Sequence, residues 1–248
     1  MKTLKTIIAI TVLSLFSFSC SSDDDSKDAI KEELNYSNGN LSTVSVSSFD
    51  KTTAPSGYTW SEMQAGNNIL GFGANDALAL ADDFVVPAGE KWNVEKISFY
   101  IYKNGHNGED SPVKDIRYEI YSSNPSQSGA VKKYGDIAVN KYAASADSKM
   151  YRISNTANSS TTTRKIFKIT ASAKDLELPS GTYWIKWQTK AVDDVSTHYH
   201  PSNTIVGSPG LTTYNAIQQK DGVWKELENG SGIKADLPFE IVGTKTKI

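Results

Sequence analysis

Residues 183–188 read Tyr183-Trp184-Ile185-Lys186-Trp187-Gln188, and their alternation decides the fold class. Tyr183, Ile185 and Trp187 form one apolar set, while Lys186 and Gln188 share the other side with Trp184. Successive side chains of a strand point to opposite faces, so the pattern is that of a half-buried β-strand. The same period recurs elsewhere. In Ile116-Arg117-Tyr118-Glu119-Ile120-Tyr121 the even positions face inward, and Arg117 and Glu119 are expected in water. Phe167 and Ile169 flank an outward Lys168, and Leu237, Phe239 and Ile241 share a face opposite Glu240. No stretch sustains a helical period.

One run changes phase. Trp92 and Val94 fall on even numbers, then Ile97, Phe99 and Ile101 on odd ones. An extra residue around Glu95-Lys96 reconciles them, which predicts a β-bulge or strand break there. Tyr100 and Tyr102 then take the opposite, outer face. Pro87-Ala88-Gly89-Glu90-Lys91-Trp92 and Pro179-Ser180-Gly181-Thr182-Tyr183-Trp184 share the form Pro-x-Gly-x-x-Trp. Proline presets φ at the second turn position and glycine suits the fourth, so both read as tight turns leading into a strand. Lys103 to Asp110, rich in Gly and Asn, reads as a long hairpin connection.

The segment from Ala81-Asp82-Asp83-Phe84-Val85-Val86-Pro87 through Trp92-Asn93-Val94, followed by Ile97-Ser98-Phe99-Tyr100, resembles a recurring opening of extracellular bacterial β-sandwich domains. Gly181-Thr182-Tyr183-Trp184 and Pro238-Phe239-Glu240-Ile241 are similar to later strands of those domains. The resemblance covers about residues 58–243. It implies an all-β fold, an antiparallel β-sandwich of jelly-roll-like form. Because those domains share no activity, it carries over no catalytic residue.

The amino terminus has a different character. Lys2 and Lys5 precede an apolar run from Ile7 to Phe18, too short to span a bilayer, and the chain's single cysteine, Cys20, ends it. Ser17-Phe18-Ser19-Cys20 resembles the lipobox of bacterial lipoproteins in Ser19 and Cys20, and departs from it in Ser17 and Phe18. That resemblance implies a signal peptide over residues 1–19, lipidation of Cys20 and a membrane held through acyl chains. Ser21-Ser22-Asp23-Asp24-Asp25-Ser26 resembles the acidic tag that displays outer-membrane lipoproteins at the cell surface; it is equally a solvated spacer. Residues 20–40 are therefore expected to be a flexible tether and residues 41–248 a single β-sandwich domain.

Loss of residues 1–19 leaves 24 basic residues against 28 acidic ones, a net charge of −4. Without a basic surface to neutralise phosphates, nucleic acid is not expected as a partner. With Cys20 committed to lipid no disulfide can form, so stability must come from burial.

Enzyme signatures are missing: no Gly-x-Ser-x-Gly, no His-Glu-x-x-His, no phosphate-binding or dinucleotide glycine motif. A pair of glycosidase carboxylates cannot be read from spacing. The expectation is a non-catalytic module whose partner is a glycan or a surface protein. Trp184 with Lys186 and Gln188 on its face, Trp224 beside the Asp221-Gly222 turn, and Trp60 in a loop-like stretch are candidate sugar contacts, while Trp92 and Trp187 are expected in the core. Asp82 and Asp83 are candidate calcium ligands, or else one of the carboxylates caps a turn or accepts backbone donors at the strand start. No other cofactor is expected. His198 and His200, with Asp193 and Asp194 nearby, suggest either a zinc site or a polar loop, and the loop is the better fit because ligand spacing is lacking.

Overall fold

The structure, a computed structural model, describes residues 31–41, 43–156, 160–193, 197–230 and 232–248. The leader, Cys20 and the acidic run lie outside them. Among the described residues there is no helix. The strands are β1 (Lys31–Ser37), β2 (Thr59–Glu62), β3 (Phe72–Gly73), β4 (Leu78–Tyr102), β5 (Val113–Tyr121) and β6 (Lys132–Gly135). They continue with β7 (Tyr142–Ile153), β8 (Lys165–Ala191), β9 (Tyr199–His200), β10 (Ile217–Lys220), β11 (Val223–Glu226) and β12 (Phe239–Lys247).

Two very long strands organise everything else. β4 and β8 pair antiparallel from Leu80↔Trp187 to Tyr102↔Ile166, as one ribbon that serves both layers of a sandwich. One half of the ribbon carries β10 and β11 on one side and β5 and β6 on the other. The other half carries β12 and β1 on one side and β7, with the parallel β2, on the other. We call these the first and second sheets. Their inner faces meet: Phe99 of the second lies 5.0 Å from Trp187 of the first, and Phe84 of the first lies 5.9 Å from Phe239 of the second. The Tyr118 hydroxyl crosses the gap to donate to the Ser172 carbonyl at 2.8 Å. The fold is thus an antiparallel β-sandwich, the class expected from the alternating runs.

The alternation sorts side chains as anticipated. Ile116, Tyr118, Ile120, Phe167, Ile169, Ile185, Trp187, Phe239 and Ile241 are buried in a single core, and Trp92 joins them. The phase change is a break in pairing: the β4–β8 register shifts between Val94 and Lys96, so Val94 and Ile97 both face inward. β12 shifts opposite it, between Val242 and Gly243. A Cβ on Gly243 would stand 2.0 Å from the Asn93 carbonyl oxygen, so the bulge requires glycine there. The two Pro-x-Gly segments face one another across the ribbon, where Val86 pairs with Gly181 and Lys91 with Pro179. Gly89 has φ +79°, as a turn demands, but the ribbon bends there and passes on into the second sheet instead of reversing.

Four local expectations are corrected. Residues 31–37 of the expected tether form β1, paired with β12 from Lys31↔Thr246 to Ser37↔Glu240, with Leu34 buried. The domain therefore extends at least to Lys31. Asn38 locks this edge, its Nδ2 donating to the Leu237 carbonyl at 2.8 Å while its Oδ1 accepts from the Phe239 N–H at 2.7 Å. Residues 103–110 are not a hairpin: β8 lies between β4 and β5, so they cross from one sheet to the other. Tyr102 is buried rather than outward, because Leu41, Leu70 and Tyr199 cover it. Glu119 is also buried. Lys132 at 3.1 Å, Lys186 at 3.4 Å and the Tyr121 hydroxyl at 2.7 Å surround its carboxylate. Burial alone would raise its pKa, but these donors and charges bring it below the usual value.

Candidate functional site: an aromatic cleft on the first sheet

Strand alternation places Ala79, Ala81 and Asp83 of β4, Trp184, Lys186 and Gln188 of β8, and Glu119 and Tyr121 of β5 on the outer face of the first sheet. Registers align them into rows, with Asp83 opposite Trp184 and Trp184 opposite Tyr121. Beside them Ile217 of β10 pairs with Ala81. The hairpin of β10 and β11 turns through Asp221 (φ 51°) and Gly222 (φ 79°), a pair suited to a two-residue turn with both φ positive. Its Trp224, opposite Gln219, packs on the cluster of Ala81, Trp184 and Ile217.

A cleft of about 260 Å³ opens there, lined by Asn124, Ser126, Trp184, Asn215, Ile217, Trp224, Lys225 and Glu226. The structure thus brings Trp184 and Trp224 together. It differs from expectation in their exposure: Trp184 is only 6% exposed, since Tyr121, Ile217 and Trp224 pack around it, and Trp224 is the half-buried ring that meets solvent. Lys186 and Gln188 share the face of Trp184 but do not line the cleft. Lys186 pairs with Glu119, and the Gln188 amide donates to the carbonyls of Asn75 and Asp76, each at 3.0 Å. Trp60 is elsewhere, in β2 at 1% exposure, donating to the Thr52 carbonyl at 3.0 Å and packed against Tyr151. Its stretch is strand rather than loop, and its ring is walled in.

The polar wall of the cleft was not foreseen. Asn124 and Ser126 lie in the β5–β6 connection, and Asn215 just precedes β10. Neither segment carries a periodic pattern, so only the pairing of distant strands reveals them. The charged lining residues are Lys225, which is exposed, and Glu226, which Lys234 holds at 2.8 Å, so the three together carry one excess positive charge. A depression of about 380 Å³ along the β10–β11 hairpin, lined by Gln218, Lys220, Asp221, Val223 and Lys225, has no aromatic wall, and two others, about 490 and 460 Å³, flank the ribbon's bend. Of the two at the bend, the larger has no aromatic wall; the smaller has only Tyr183, whose ring belongs to the core and whose hydroxyl donates to the Pro179 carbonyl.

Asp82 and Asp83 are neighbours in a strand and so point to opposite faces, which separates them as a chelating pair. Asp82 is 1% exposed and accepts from the Leu237 N–H and the Asp83 N–H, each at 2.8 Å, and from Asn38 Nδ2 at 3.2 Å. Burial, and then the nearby Asp236 carboxylate, push its pKa well up. Its observed work is to receive backbone donors. Among the described residues no three His, Cys, Asp or Glu side chains gather as a metal site.

His198 and His200 are buried at 3% and 2% exposure, not part of an open loop; β9 pairs with β3 and with Tyr102. The Thr189 hydroxyl donates to the Ala74 carbonyl, so it accepts from His198 Nε2 at 2.5 Å. Trp187 Nε1 donates to His200 Nδ1 at 3.4 Å, which leaves the proton of His200 on Nε2. His200, which accepts at Nδ1, is thereby held neutral, and burial followed by the neighbouring His198 drives its pKa well down. Asp193 pairs with Lys103 at 3.3 Å, and Asp194 lies outside the described residues.

What fold and cleft define is a class: an all-β sandwich with an aromatic cleft on an outer sheet face. No family model, curated protein or solved structure matches the chain.

Proposed function

We propose that this protein is a non-catalytic surface lipoprotein that binds neutral carbohydrate in the cleft of Trp184 and Trp224. The observation that supports it most is the meeting of two tryptophans, far apart in the chain, beside amide and hydroxyl groups in a small open cleft. Indole faces pack on the CH faces of sugar rings while neighbouring amides and hydroxyls take the ring hydroxyls. An apolar lining with a few placed polar groups is the usual makeup of a small-ligand site. With Glu226 neutralised by Lys234, Lys225 is the one charge left in the lining, and the remaining polar groups, amides and a hydroxyl, suit an uncharged ligand. Glu226 is the only carboxylate among the lining residues and is held by Lys234, whereas glycoside hydrolysis uses two carboxyl groups.

In this reading lipid on Cys20 tethers the sandwich to the outer membrane and the acidic run beyond it favours display at the cell surface. With β1 starting at Lys31, the spacer after Cys20 is shorter than residues 20–40, which keeps the domain close to the bilayer. A glycan array probed with the full chain in detergent tests the ligand: binding that Trp224→Ala abolishes supports the proposal, and a blank array with an intact fold ends it. Release of Cys20→Ala from membranes tests the anchor; unchanged retention would remove it. Co-purification of one fixed protein partner together with a blank array would favour an accessory role instead.

A further inference from the structure

Two acceptors of the cleft wall are already engaged. The Asn124 side-chain oxygen accepts the Ser126 N–H at 2.8 Å, and Glu226 is held by Lys234. Asn215 differs. Its side-chain oxygen is shielded and has no hydrogen-bond partner. Its backbone is fixed, because Asp236 Oδ1 accepts the N–H of Asn215 at 2.7 Å and that of Ala216 at 3.3 Å. Asp236 is itself tied in, its carbonyl receiving the Asn203 N–H at 2.9 Å and the next residue, Leu237, donating to Asp82. A rigid mount thus carries an unsatisfied acceptor beside Trp184, Ile217 and Trp224.

We propose that Asn215 is the specificity-determining residue of the cleft, its Oδ1 accepting a hydrogen bond from a hydroxyl of an uncharged sugar stacked on Trp224. This rests on the carbohydrate reading of the cleft. The terminal torsion of an asparagine is soft, so rotation about it can present the oxygen to a ligand hydroxyl in the cleft. A shielded acceptor left empty is unfavourable, and a ligand hydroxyl removes that penalty. A site built around such an acceptor discriminates against a sugar that lacks the matching hydroxyl. The geometry selects for a donor on the ligand, and against a methyl ether or sulfate at the same position.

The test is calorimetric titration of the full chain in detergent with neutral tetrasaccharides of glucose, mannose, galactose and xylose. Titrations of Asn215→Leu and Asn215→Asp follow, with each variant's melting curve checked. The tightest of the four sugars should bind Asn215→Leu about tenfold more weakly, the scale of one lost neutral hydrogen bond. Asn215→Asp, which keeps the acceptor, should stay within about threefold of the parent. Independently of any variant, the monodeoxy series of that sugar should contain one member that binds the parent about tenfold more weakly. That member should not distinguish the parent from Asn215→Leu. Equal binding by Asn215→Leu, or an Asp variant as weak as the Leu variant, overturns the role of Asn215 while leaving the cleft as the sugar site. Failure of the parent to bind any of the four removes the carbohydrate reading and this inference with it.

Discussion

The two outer faces of the sandwich begin from the same alternating pattern and end differently. On the second sheet, segments before β4 and around β9 fold back as a cover: Leu41, Leu70 and Tyr199 close over Tyr102 and Ile166, and Trp60 with Tyr58 lies on Tyr151. Arg152 is sealed beneath this cover at 1% exposure. Its guanidinium donates to the Leu70 carbonyl at 2.8 Å and to the Ser61 hydroxyl at 3.0 Å. Burial lowers its pKa to about 10. On the first sheet, among the described residues, Trp184 is packed by Tyr121 and by the β10–β11 hairpin that continues the sheet beyond β4, and a cleft is left beside Trp224. A tryptophan under a cover serves stability, whereas one at the edge of a hairpin remains available to a ligand.

Exchanging single side chains separates these roles. Trp60→Ala should cost about 3–5 kcal/mol in unfolding free energy, the range for emptying a buried indole site, and leave sugar affinity unchanged where the variant is folded. A loss below about 1 kcal/mol in a denaturant titration would show that the cover is loosely packed. Gly243→Ala forces a Cβ into the Asn93 carbonyl at the bulge and should cost about 1–3 kcal/mol by the same titration, with no change at the cleft.

Acid should act first at His200, which lies against Trp187 and belongs to the strand whose Tyr199 joins the cover, before it reaches the cleft. The folded-state pKa of His200 is held below the ordinary 6.5, so the unfolded chain takes up its proton first. Stability from His200 is then complete above about pH 6.5 and is lost as pH falls through the depressed folded value. Asp82 has the opposite sign. Its raised folded pKa gives a contribution complete below the ordinary 3.8 and lost as pH rises through the folded value. Chemical denaturation between pH 7.5 and 5.5 should show a decline in the parent that is smaller in His200→Asn, whose oxygen can still accept from Trp187. An identical decline in both would assign the effect to other groups. The smallest effect on stability belongs to the first sheet: Trp224→Ala should change unfolding free energy by no more than about 1 kcal/mol, since its ring is half exposed, while abolishing glycan binding. A loss as large as that of Trp60→Ala would make Trp224 a structural residue and erase the contrast between the faces.

Some of this architecture was legible residue by residue. A bulge at Glu95-Lys96 follows from the requirement that Trp92, Val94, Ile97 and Phe99 all reach one core, a purely local count. The meeting of Trp184 with Trp224 was foreseen only as two separate candidates. β1 escaped notice because an edge strand buries little: Lys31-Glu32-Glu33-Leu34-Asn35-Tyr36-Ser37 needs only Leu34 fully inside, too faint a signal among charges. Trp60 looked loop-like because its strand has four residues and its partner, β7, lies far along the chain. Asp82 and Asp83 looked like a pair because they are adjacent, yet adjacency in a strand sends them apart.

By itself the sequence determined the strand class, the inward set of side chains and the site of the bulge, since each depends on a period of two acting over a few residues. Tertiary structure alone decided which outer face is covered, that Trp184 is nearly enclosed while Trp224 is not, and that Asn215 stands beside both with an empty acceptor. Those outcomes depend on how strands remote in the chain pair and pack, and a free energy set by such contacts leaves no local pattern to read.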